Sequence, residues 1–142
     1  MDQQAFESIQ LELAILIRRI MSVSSHKKIG NIERSAYLLL HHIRDQGSVG
    51  VKALAETLQL DISTVSRQAG ALEQKGYVFK VPDPQDGRAY SFKLTDFGMA
   101  ELLEFKQARS NMLKELLQEW SDEDCANFSR LLNKFNESLC EK

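Results

Sequence analysis

Along most of this chain apolar residues return every three or four positions, but between Gly76 and Thr95 that period gives way to alternation. Tyr77, Phe79 and Val81 alternate with Val78 and Lys80, and a second short run from Tyr90 to Leu94 sets Phe92 between Ser91 and Lys93. Asp83-Pro84-Gln85-Asp86-Gly87, all turn formers, separate the two runs. One β-hairpin with a polar tip, set among helices, limits the chain to a mainly α fold with a single small sheet.

On either side the helical pattern is plain. Phe6, Ile9, Leu13, Leu16, Ile17 and Ile20 define one face of a first helix over 6–21, and Asn31 can cap a second that carries Ile32, Ala36, Leu39, Leu40 and Ile43 and stops at Gln46-Gly47. Gly50 opens a short third helix with Val51, Leu54, Ala55 and Leu58 inward. Leu60-Asp61 is a tight joint to a fourth helix, with Asp61 as its N-cap and Gly76 in its C-terminal cap. Beyond the hairpin, Thr95 caps a long helix with Met99, Leu102, Leu103, Met112, Leu113, Leu116, Leu117 and Trp120. Ser121 and Asp124 then form a capping box for a last one, where Cys125, Phe128, Leu132, Phe135 and Leu139 keep near-heptad spacing. The helices at the chain ends carry more apolar face than so small a module can cover, which predicts a symmetric homodimer. The organisation expected is 1–30 as a dimerisation helix and linker, 31–95 as a helix-turn-helix and hairpin lobe, and 96–142 as further dimerisation helices.

The 142 residues carry a formal charge of −2, yet unevenly: residues 1–95 hold twelve Lys/Arg against ten Asp/Glu, and 96–142 hold six against ten. A mildly basic body is masked by an acidic tail. No apolar run approaches the ~20 residues of a membrane span, and Met-Asp-Gln-Gln-Ala-Phe-Glu has neither the basic nor the apolar region of a signal peptide, so a cytoplasmic protein is expected. Cys125 and Cys140 form no CxxC pair and have no nearby His, which leaves no zinc or disulfide signature. With no Gly-rich phosphate loop, HExxH or nucleophile elbow, neither an enzyme nor a bound cofactor is expected.

The fourth helix is the informative one. Ile62, Val65, Ala69 and Leu72 share the face that must pack inward. The other side presents Ser63, Thr64, Arg67, Gly70 and Ala71, flanked by Ser66 and Gln68. Arg can bond bidentately to guanine and Gln to adenine, Ser and Thr serve bases or phosphates, and small residues admit the helix to a major groove. Any exposed amphipathic helix shows such residues to water. What favours DNA is their conjunction with a tight joint, the small Ala55 at the helix crossing and a basic hairpin immediately after. At the hairpin tip Arg88 can enter a minor groove with Asp86 holding its guanidinium, although on its own Asp86-Gly87-Arg88 reads rather as a solvated turn.

Asp86-Gly87-Arg88, Leu94-Thr95 closing the second strand and Gly98 in the next helix together resemble the signature of the MarR (multiple antibiotic resistance regulator) family. So do Leu54-Ala55, Ser63-Thr64-Val65-Ser66-Arg67, Leu72-Glu73 and Lys75-Gly76-Tyr77-Val78 upstream. The likeness spans nearly the whole chain. It implies a winged helix-turn-helix dimer with interlocked terminal helices, bound to pseudo-palindromic double-stranded DNA. Ser63, Thr64, Ser66, Arg67 and Gln68 would be the recognition-helix contacts, Arg88 the minor-groove contact and Asp86 its orienting partner. The implied function is a sequence-specific transcriptional regulator, a repressor released by a small aromatic effector. The alternatives are a redox- or metal-responsive regulator of the same fold and a winged-helix protein-interaction module, the last disfavoured by Arg67 and Arg88.

The signal is less legible. Oxidant sensors of the family usually carry their reactive Cys in the first helix, where this chain has none, and Cys125 on an apolar stripe reads as a buried structural thiol. His41 and His42 point about 100° apart on one helix and do not readily share a metal. Tyr37, His41 and Arg19 are pocket residues by position only, so the effector-binding residues stay unassigned.

Overall fold

A computed structural model describes residues 1–24, 34–82 and 88–140. Asn31, Ile32, Asp86 and Gly87 therefore lie outside the described residues. The elements run α1 (Gln3–Ser24), α2 (Arg34–Gln46), β1 (Val49–Gly50), α3 (Val51–Leu58), α4 (Ile62–Gln74), β2 (Val78–Pro82), β3 (Tyr90–Leu94), α5 (Asp96–Leu116) and α6 (Asp122–Cys140). The expected order holds, with α1 a few residues longer at each end and α5 ending before Trp120.

The sheet has one strand more than the alternation predicts. β3 is central in an antiparallel sheet of order β1-β3-β2, with Val49 opposite Phe92 and Gly50 opposite Ser91. Two residues are too few to show a period of two, so β1 left no signal. The hairpin phase also differs. Val78 and Phe92 are buried whereas Phe79 is exposed. Tyr77 is buried too, because it closes the end of α4 rather than beginning the strand: its N–H donates to Leu72 O (3.0 Å) and that of Gly76, at φ +83°, to Glu73 O (3.0 Å). These two bonds satisfy the last carbonyls of α4 and turn the chain into β2.

The core is a single cluster. Leu39, Leu40 and Ile43 of α2, Leu54 and Ala55 of α3, Val65, Ala69 and Leu72 of α4, and Leu102 and Phe105 of α5 enclose Tyr77, Val78 and Phe92. α1 and α6 contribute nothing to it. Every described side chain of α1 except Leu13, and of α6 except Cys125, is exposed. Among the described residues no helix is long and apolar enough to cross a membrane.

The start of α5 is clasped to the end of α4. The Thr95 hydroxyl accepts from Gly98 N–H (2.8 Å) as the N-cap and donates to the Gly76 carbonyl (2.6 Å), while Thr95 N–H donates to Tyr77 O (3.0 Å). Ser121 caps α6 by accepting from Asp124 N–H (3.0 Å), and Trp120 meets Phe128 edge to face at the corner between the two last helices.

Candidate nucleic-acid interface

The joint that aims α4 is built from Gln59-Leu60-Asp61. Gln59 is left-handed (φ 55°), its N–H donates to Glu56 O (3.3 Å) and that of Leu60 to Ala55 O (3.0 Å), so α3 ends within one turn and Asp61 begins the next helix. The Gln59 side-chain amide donates to Cys140 O at 3.1 Å, tying the end of α6 to this turn.

Asp61 holds the N-cap position, but its carboxylate accepts the side-chain hydroxyls of Thr64 (2.8 Å) and Ser63 (3.1 Å) instead of a backbone N–H. Those hydrogen bonds, Thr64's above Ser63's, keep the Asp61 carboxyl below its usual range. The hydroxyl protons of Ser63 and Thr64 are thus committed within the protein, and their oxygens remain as acceptors.

Five recognition-helix residues were expected on one outward surface. Ser63, Ser66 and Arg67 are exposed together there, whereas Thr64 and Gln68 are partly buried at its margins. Ile62 departs from expectation. The wheel placed it with Val65, Ala69 and Leu72, yet those three are buried and Ile62 is 54% exposed. A helical side chain leans over the turn N-terminal to its own Cα, and Ile62, first in its helix, has no such turn beneath it.

On the sheet side Arg88 is exposed just past the tip, and its expected partner Asp86 is not among the described residues. Lys80 stands 4.6 Å above the Tyr90 ring and 3.8 Å from the Glu73 carboxylate, linking the hairpin to α4. Tyr90 in turn meets Phe92 edge to face. Sequence reasoning passed over this chain of contacts because β2 and β3 were read one strand at a time.

Tyr37, His41 and Arg19 do not converge on one pocket. Tyr37 packs on Phe105, under the Arg109 guanidinium, at the wall of an open crevice of about 620 Å³ shared with Lys106, Leu113, Trp120 and Cys125. His41 lines a neighbouring cleft with Arg44, Asp45 and Lys106, and Arg19 lies beside Ile15 on α1. Cys125, expected to be buried, is only partly so. Burial, then the charge of Lys106, keeps the His41 imidazole below its usual range. Among the described residues no three His, Cys, Asp or Glu gather as a metal site.

The MarR family profile matches residues 32–90. The uncharacterized HTH-type transcriptional regulator YxaD of Bacillus subtilis is 40% identical over 141 residues, covering 99% of each chain. Two solved structures share the fold. A mutant MarR from E. coli complexed with operator DNA has a TM-score of 0.70 at 24% identity, covering 95% of this chain and 99% of that one. The PcaV transcriptional regulator from Streptomyces coelicolor, in complex with its natural ligand, has a TM-score of 0.73 at 22% identity, covering 89% and 91%. Alike along its full length to one transcriptional regulator and carrying the family's profile on the lobe that holds α4 and the hairpin, the chain belongs to the MarR family.

Proposed function

We propose that this regulator binds a pseudo-palindromic operator as a symmetric homodimer and represses transcription until a small effector shifts the spacing of its two lobes. Its 31–95 lobe reads DNA, while 1–30 and 96–142 hold two copies together. The observation that carries the reading is the exposed cluster of Ser63, Ser66 and Arg67 on the first two turns of a helix set beside a small sheet, with Arg88 exposed just before its strand β3. The N-terminal residues of such a helix meet base edges in the major groove, and a basic hairpin tip reaches the adjacent minor groove. Thr64 and Gln68 border the same surface, and Asp86 orients Arg88. No cofactor or catalysis enters, and the site of action is the cytoplasm.

Support for an effector comes from the crevice between α2, α5 and α6, where Tyr37 offers an aromatic face and Lys106 and Arg109 offer cations, a lining suited to an aromatic carboxylate. Such a ligand acts only if it favours one lobe spacing over the other.

An operator selected from a random duplex pool tests the reading. Arg67→Ala should weaken binding to it by about 1–3 kcal/mol and relax preference at one base position. Arg88→Ala should cost most where the flanks are rich in A·T. Binding of both variants at the parental level, or a parental affinity for random duplex that ignores salt, overturns it.

A further inference from the structure

Beside the reading surface lies a cleft of about 350 Å³ of whose lining the recognition-helix assignments use only Ser66. Ile62 and Ser66 of α4 form one wall, Val51 and Lys52 of α3 the floor, and Ala89 and Tyr90 at the head of β3 the other wall. Its lining is mostly apolar, and it opens between the helix and the hairpin. Ile62 and Ser66 are four residues apart, hence on the same side of α4. The Tyr90 wall is held from two directions by Lys80 and Phe92.

We propose that Ile62 is a specificity-determining residue that receives the C5-methyl group of a thymine in this cleft, an inference that rests on the DNA-reading function above. The cleft is continuous with the reading surface through Ser66. Ile62 stands on the first turn of α4, where base edges come closest. An exposed apolar side chain has no hydrogen bond to offer a base, and in the major groove the one apolar group on offer is the thymine methyl. The half-exposure of Ile62 that broke the helical-wheel expectation thus has an occupant: a methyl group from the duplex completes the apolar contact that the fold leaves open.

The test deletes the methyl from the DNA. Each thymine of the selected operator is replaced in turn by deoxyuridine, and the full-length protein is titrated against the series. A buried methyl is worth ~0.8 kcal/mol, so one position per half-site should weaken binding about fourfold. Ile62→Ala, which removes the contact in both half-sites of the homodimer, should bind the unmodified operator about sixteenfold more weakly and be indifferent to deoxyuridine at that position, while Ile62→Val, which keeps a branched apolar side chain, stays sensitive. Thermal melting of each variant confirms that the lobe is folded. A methyl-deletion map with no sensitive thymine overturns the inference on the parental protein alone, as does unchanged sensitivity in a folded Ile62→Ala. Failure of the parent to select any preferred duplex would instead overturn the function on which the inference rests.

Discussion

At the scale of single residues, the side chains of α2 show how burial governs chemistry. The His41 ring stacks near Tyr37, and its Nδ1 is buried with no hydrogen-bond partner among the described residues. A proton there meets incomplete hydration and the positive charges of Lys106, His42 and Arg44, with only Asp45 opposing them. The folded chain therefore favours the neutral ring, and its pKa lies below the ordinary 6.5. The unfolded chain binds the proton more readily, so stability is complete above that value and declines as pH falls from it toward the folded pKa. Melting temperature should fall as pH drops below about 6.5, and His41→Gln, which carries no titrating proton, should flatten part of that fall. Equal pH slopes for the two proteins would show that His41 is not the group responsible. A sequence alone identifies His41 as a histidine on a helix interface, but its cationic neighbour Lys106 lies 65 positions along the chain and is brought near only by folding.

At the scale of elements, α4 is fixed at both ends by short devices. Gly98 shows how tightly: a Cβ at that position would overlap the Tyr77 carbonyl oxygen, which cannot withdraw because it already accepts from Thr95 N–H. Gly70, in the middle of α4, has open space where its Cβ would stand. Gly98→Ala should thus cost about 3 kcal/mol through overpacking, whereas Gly70→Ala should gain up to about 1 kcal/mol from helix propensity. Urea midpoints read at constant m-value check both, and a Gly98→Ala protein as stable as the parent would mean that the clasp is loose. The elements were legible because their caps are local: Asp61, Gly76, Thr95 and Ser121 each stand where the sequence placed a boundary. What was not legible depends on neighbours distant in sequence. β1 is visible only through its pairing with β3, and the phase of β2 only through the turn that buries Tyr77. Ile62 falls in the same class, since a wheel gives its direction but not whether another element lies beneath it. The outward exposure of Ser63, Ser66 and Arg67 was therefore legible in the sequence, and that of Ile62 was not.

At the scale of the whole molecule, the described chain is unevenly finished. Its core draws on α2 to α5, yet Phe6, Ile9, Leu16, Ile17 and Ile20 of α1 and Phe128, Leu131, Leu132, Phe135 and Leu139 of α6 stand exposed along two long helices. Apolar stripes of that length exceed what a monomer leaves to water. In the homodimer proposed above a second copy would cover them with the same surfaces reciprocally, and such a closed pair would set the two α4 helices about 34 Å apart, one turn of duplex. Because none of these residues enters the core, breaking the pair should leave each lobe folded. Leu132→Glu with Phe135→Glu introduces charge on the α6 stripe, and sedimentation equilibrium should then show monomers that still unfold cooperatively. Each monomer would grip a single half-site, and losing the linkage between two such contacts should weaken operator binding by at least about a hundredfold. A doubly substituted protein that remains dimeric, or a parent that is monomeric at micromolar concentration, would place the dimer contact elsewhere and leave the exposed stripes of α1 and α6 to some other partner.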